Sequence, residues 1–161
     1  MKQLTLTLAA VLVLALFASN PVWAAGGGHE IKKPDSPAEG SSQSQGGLQF
    51  LSYAEATKKA AEENKLVMIF FWAEWCRYCV QMRQEVFPLD RVKEAFDKAY
   101  FGVSVNTEND PDNLTGRFRP TALPTLAFVR PNGEVLGVLP GAPSADTFIE
   151  VLEYVNTEAR K

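Results

Sequence analysis

The sequence predicts an α/β fold in which a central mixed β-sheet is flanked by helices on both faces. Three observations predict it. Leu66 to Trp72 is an unbroken apolar run with no charge on either face, the mark of a central strand buried on both sides. Helix-forming segments lie immediately before and after that run. Further along, the stretches 125–130 and 135–139, read as strands, flank Pro131-Asn132-Gly133-Glu134, a hairpin turn. A strand–helix–strand unit followed by a hairpin and a helix combines parallel and antiparallel pairs in one sheet.

The elements follow in order. Met1-Lys2 supplies positive charge, Leu4 to Phe17 is apolar, and Val22 and Ala24 are small residues where a signal peptidase reads. Residues 1–24 are therefore expected to be a secretory signal peptide cut after Ala24. The apolar core is short for a membrane span, which needs roughly 20 residues. No cysteine lies near the cut, which argues against a lipid anchor. Residues 25–47 are rich in Gly, Ser, Pro and Gln and read as a flexible linker. The only histidine, His29, lies there, and a lone histidine in a tether reads as solvated.

The folded domain is expected over residues 48–161. Ser52-Tyr53-Ala54-Glu55 has the pattern of a capping box, and its helix should run to about Asn64. Residues 66–72 are the buried strand. A helix starts near Cys76 and stops or kinks near Pro88, because proline removes a backbone donor. Residues 90–99 continue as helix. A strand covers 100–105, a polar loop 106–112, and a short helix 111–118. The hairpin strands follow. Ser144 caps a last helix over 145–157, with Phe148, Val151, Leu152 and Val155 on one face. No internal repeat is present.

Composition narrows the function classes. The 161 residues carry a formal charge of −3, and removal of residues 1–24 takes away one lysine and leaves −4. A nucleic-acid partner would call for a strongly basic face, and none is indicated. The 46% hydrophobic content suffices for an ordinary core. No glycine pattern for nucleotide binding occurs. Asn106 to Asn113 is acidic, yet it lacks the Asp-x-Asp-x-Asp-Gly spacing of a calcium loop and reads as solvated.

The chemistry concentrates in Trp75-Cys76-Arg77-Tyr78-Cys79, which holds the only two cysteines. An exported protein meets an oxidising compartment, where disulfides are ordinary. A bridge this short closes a very small loop and stabilises little, so a structural role is a poor use of the spacing. A pair at the junction of a buried strand and a helix is a redox site. There the first thiol is expected to be exposed at the positive helix end, with the second one turn below.

These residues resemble the thioredoxin superfamily. The resemblance rests on Phe71-Trp72-Ala73-Glu74-Trp75-Cys76-Arg77-Tyr78-Cys79, on Leu123-Pro124-Thr125, and on Asn132-Gly133-Glu134-Val135 with Gly141. It covers about residues 48–158 in the family's order and implies the thioredoxin fold. Within the superfamily the pattern is most like exported domains such as the C-terminal periplasmic domain of DsbD-type reductases. The helical insertion of DsbA-type oxidases has no counterpart. Two departures stand out. Phe70 occupies the position of the family's buried aspartate, and Arg77-Tyr78 replaces the Gly-Pro of thioredoxin. Both bear on redox potential and direction.

The catalytic residues expected are Cys76 as nucleophile and Cys79 as resolver. Only a thiolate attacks a disulfide, and free cysteine titrates near ~8.5; a helix N-terminus lowers that value. Arg77 and Tyr78 are candidate tuning residues, with Arg77 the adjacent cation and an exposed, merely tolerated side chain as its alternative. Glu74 is a candidate base for Cys79 through water; the alternative is a solvated side chain. The resemblance implies a cis peptide bond at Leu123-Pro124 that brings residue 123 beside the sulfurs to pair with a substrate backbone. Trp75, Leu123 and Pro124 are thus the expected substrate-binding residues. Trp72, Phe70 and Phe71 read as core.

The expected function is that of a periplasmic thiol–disulfide oxidoreductase reducing exported proteins. Its partners would be exported proteins with disulfides or thiols and a membrane electron donor of the DsbD type. No cofactor, metal or nucleic acid is expected, and the default state is a monomer. Net disulfide formation is the alternative direction, which the reduction potential separates. Isomerase activity is disfavoured because no dimerisation domain precedes the catalytic one. From other classes come a soft-metal-binding or chaperone-like module, which two thiolates could serve with Cu(I), and a redox-silent interaction domain. Zinc would want four ligands.

Overall fold

A computed structural model describes residues 43–161. The expected signal peptide, most of the expected linker and His29 lie outside the described residues. The elements run β1 (Gln43–Gln45), β2 (Leu48–Leu51), α1 (Tyr53–Glu63), β3 (Leu66–Trp72) and α2 (Arg77–Gln81). A π-helical turn (Met82–Val86) continues α2, followed by α3 (Asp90–Ala99), β4 (Tyr100–Asn106) and α4 (Leu114–Phe118). The chain closes with β5 (Thr125–Val129), β6 (Val135–Pro140) and α5 (Ala145–Glu158).

All six strands join one sheet in the order β1-β2-β4-β3-β5-β6. The central strand β3 pairs parallel with β4 and antiparallel with β5, so the sheet is mixed as the sequence predicts. Every residue of β3 is buried. The strand's two-residue period splits its side chains between two cores. Leu66, Met68, Phe70 and Trp72 pack with residues of the π-turn, α3 and α5. Val67, Ile69 and Phe71 pack with Ala56 and Ala60 of α1 and with Leu114 of α4. Each large apolar side chain buried this way contributes about 1.5–3 kcal/mol, so one strand anchors both helical layers.

Local signals close the elements as expected. The Ser52 hydroxyl accepts the Glu55 N–H at 3.2 Å, and Asn64 ends α1 in the left-handed region at φ 57°. Ser144 caps α5 by accepting the Thr147 N–H at 3.3 Å. Phe148, Leu152 and Val155 are buried, while Val151 is only half-buried.

Three features depart from the expectation. Gln43–Gln45 lies within the stretch read as a linker, yet it is a strand paired with β2. Its three residues are polar and carry no apolar alternation, so periodicity is silent there. Gly46 and Gly47 have φ of 60° and 89°, which is the two-residue turn that joins tightly twisted antiparallel strands. Secondly, the helix after the cysteines widens into a π-turn in which the Phe87 N–H reaches back to the Met82 carbonyl at 3.0 Å. Lastly, α4 starts only at Leu114, because Asn113 adopts φ 53° and the Asp110 carboxylate receives the Thr115 N–H.

Candidate redox site

The site sits where β3 ends and α2 begins. Ala73 is fully buried, and its carbonyl accepts the Cys76 N–H at 3.1 Å. That turn exposes Glu74 and Trp75 and delivers Cys76 as the N-cap of α2 with φ −79° and ψ 97°. The Cys79 N–H is shared: it bonds to the Cys76 carbonyl at 3.1 Å and points at Cys76 Sγ at 3.1 Å, so sulfur takes part in the cap. Unpaired N–H groups of a first helical turn carry partial positive charge. In the reduced protein the same donor would face a thiolate.

Cys76 and Cys79 form a disulfide, with Cα atoms 5.2 Å apart. The expectation of an exposed first thiol is corrected here. Cys76 is only 4% exposed and Cys79 is fully buried. Capping geometry explains the difference, since a side chain that turns back to its own helix and bonds to residue 79 faces the core. Both cysteines belong to the cluster that holds Phe70, Trp72 and Met82.

The remaining expected residues fall into two groups. Leu123 is half-buried and packs against the cluster containing the cysteines. The Leu123–Pro124 peptide bond is cis, Pro124 is buried, and its carbonyl accepts the Gly141 N–H at 2.8 Å. Trp75, Arg77 and Tyr78 form the exposed rim, with Trp75 69% and Tyr78 61% accessible. The structure gives Glu74 an exposed position, consistent with the solvated alternative.

Phe70 is fully buried and lies edge-on to Phe87 at 5.2 Å between centroids. An apolar ring therefore stands where the resemblance implied a buried carboxylate, in the same cluster as the cysteines. Across the sheet Phe70 is in register with Ser104.

Four residues near the site escape sequence reasoning. The Trp72 indole N–H donates to Ser104 Oγ at 2.8 Å, and the Ser104 hydroxyl meets Gln45 Oε1 at 3.2 Å. The Arg83 guanidinium stacks over the Trp72 ring at 4.4 Å. On the rim, the Trp75 indole N–H donates to Glu108 at 3.2 Å, so the loop read as merely solvated holds one edge of the site. Strand register could have signalled Ser104; no motif marks the others.

Among the described residues no group of three or more His, Cys, Asp or Glu side chains is arranged to hold a metal ion. Among the described residues a cavity of about 520 Å³ opens at the far end of β3 beside Lys65, Arg130 and Arg160. Two of its cations are engaged, Lys65 with Glu63 at 3.0 Å and Arg130 with Glu134 at 3.1 Å.

The thioredoxin-like domain family model matches residues 53–156. A Streptomyces coelicolor protein bearing a thioredoxin name is 33% identical over 117 residues, 68% of this chain and 84% of its own length. The disulfide bond reductase DsbH of Chlamydia pneumoniae is 26% identical over 112 residues, 61% of this chain and 68% of its own. Among solved structures, the oxidised C-terminal domain of Neisseria meningitidis DsbD is similar with a TM-score of 0.54 and 27% identity. That match covers 63% of this chain and 90% of the DsbD domain.

Proposed function

The chain belongs to the thioredoxin-like domain family and is a thiol–disulfide oxidoreductase of that family, and from that premise we propose that it works in the periplasm as a reductase of exported proteins. The observation that carries this reading is the Cys76–Cys79 pair at the mouth of α2, with a backbone N–H aimed at Cys76 Sγ. Likeness to a disulfide bond reductase and to a DsbD domain supports the direction. The signal-peptide pattern of residues 1–24 supports the compartment.

The reaction balances as two thiol exchanges. The Cys76 thiolate attacks one sulfur of a client disulfide, a mixed disulfide forms, and the other client sulfur leaves as thiolate and takes a proton. Cys79 then loses its proton and attacks Cys76 Sγ. The second client sulfur leaves, and the chain is left with the Cys76–Cys79 bridge. Two electrons and two protons pass to the client. A membrane dithiol donor of the DsbD type would restore the pair by the reverse exchange.

The rim residues take supporting roles. Trp75 offers a flat surface to the client, while the Leu123–Pro124 backbone pairs with an extended client segment. Arg77 and Tyr78, between the cysteines, tune the first thiol.

Trapping tests the assignment. A Cys79→Ala variant, lacking the resolving thiol, is expected to accumulate mixed disulfides through Cys76 in the periplasmic fraction. Cys76→Ser is expected to trap none. Equal trapping by both variants would overturn the roles, and complexes confined to the cytoplasm would overturn the location.

A further inference from the structure

The β1–β2 hairpin reaches the redox helix at two points, one direct and one relayed through Ser104 and Trp72. The first is Gly46. In the π-turn the Phe87 N–H is committed to the Met82 carbonyl. The next donor in a π register on the Arg83 carbonyl would be residue 88, and Pro88 has no N–H. The Gly46 turn occupies the space over that carbonyl. A Cβ on Gly46 would lie 2.1 Å from the Arg83 oxygen and 3.0 Å from the Phe87 Cβ, so only glycine permits this approach, at φ 60°. A Cβ on Gly47 would lie 3.3 Å from the Lys93 side chain, 3.6 Å from Pro88 Cα and 3.7 Å from the Phe87 oxygen.

The second contact is Gln45. Its side-chain oxygen meets the Ser104 hydroxyl, which receives the Trp72 indole N–H. The Trp72 ring in turn carries the Arg83 guanidinium. The circuit therefore closes: Gln45, Ser104, Trp72, Arg83, and back through Gly46. It encloses an indole that packs in the same cluster as both cysteines. Arg83 follows Cys79 by four residues, one turn along the redox helix.

We propose that the β1–β2 hairpin is a brace for the redox helix, in which Gln45, Gly46, Ser104 and Arg83 are positioning residues that set the reactivity of Cys76. The inference rests on the reading of Cys76 as the attacking thiol. Its physical basis is aim. The Cys79 N–H serves Cys76 Sγ only while the first turn of the helix keeps its internal geometry. Widening into a π-turn at Met82 interrupts the regular α ladder just beyond that turn, where outside contacts can hold the helix. The hairpin supplies them on the backbone side at Arg83 and on the indole side through Ser104.

The experiment follows iodoacetamide alkylation of the reduced whole protein against pH, with Gln45→Ala, Gly46→Ala, Arg83→Gln and Arg83→Lys compared to wild type. The expected result is a higher pH midpoint for Gln45→Ala, Gly46→Ala and Arg83→Gln. At a pH below the wild-type midpoint, Gly46→Ala and Arg83→Gln should react at least threefold more slowly. Arg83→Lys keeps a cation over the indole and should recover most of the rate. Profiles within wild-type scatter for Gln45→Ala and Arg83→Gln would overturn the brace, even if melting temperatures fell, because lost stability alone does not move a midpoint. Should Gly46→Ala fail to fold, those two variants decide. A wild-type protein with no ionising, reactive Cys76 would instead remove the catalytic reading, and the brace with it.

Discussion

Phe70 shows what a single position contributes. Its ring is fully buried and lies against Phe50 and Phe87 at 6.4 and 5.2 Å between centroids. Replacing it by aspartate would empty an aromatic site and put a carboxyl there. The cavity alone costs about 3–5 kcal/mol, and an ionised carboxylate adds desolvation. Burial raises the pKa of such a group above its unfolded value, so the variant binds more protons when folded. Its stability must therefore fall as pH rises through the unfolded carboxyl range near ~4 and beyond. Urea unfolding of Phe70→Asp is expected to show a larger deficit at pH 8 than at pH 4.5; an equal deficit would mean that the carboxyl reaches solvent. At this scale the sequence is legible in kind and not in exposure. Two cysteines three apart identify the pair, and an apolar residue at 70 is read directly. Spacing says nothing about which way an N-cap side chain turns, and the burial of Cys76 follows from that turn.

Elements are legible where a local signal is redundant with the tertiary one. β3 is apolar at every position, and α1 and α5 each begin on a serine that takes an N–H three residues on. Where only tertiary context decides, the sequence is silent. Gln43-Ser44-Gln45 becomes a strand because β2 is there to pair with it. Met82 to Val86 has ordinary helical composition, so its π register is invisible. Tyr100 illustrates a bond between elements. Its hydroxyl donates from the start of β4 to the Leu152 carbonyl in α5 at 2.7 Å. Burial pushes the phenol well above its usual range, with the Asn156 backbone opposing in part. A raised pKa gives a contribution fully present below the unfolded value near ~10 and lost as pH climbs past it. Tyr100→Phe is expected to cost about 1 kcal/mol at pH 7. It should also unfold with a shallower loss of stability between pH 9 and 11 than wild type. Identical alkaline slopes would show that this phenol is not the group that titrates.

For the whole molecule the decisive quantity is the reduction potential, because it fixes the direction of electron flow. A potential compares the dithiol with the disulfide, and strong oxidants are those whose reduced form is specially stabilised. The sources of such stabilisation here are few. Cys79 is buried among apolar side chains, which disfavours its thiolate. Arg77 is exposed, so water weakens the pull by which it would tune the sulfur. Cys76 keeps a share of the Cys79 N–H and the positive end of its helix. On the proposed direction, a reduced pair with so little to hold it is expected to give up its electrons readily. Equilibration with glutathione and dithiothreitol buffers is expected to return a value close to about −270 mV, far from the roughly −120 mV of a strong oxidant. A result near the latter would reverse the proposed direction and make the protein a net donor of disulfides, with the same two cysteines at work.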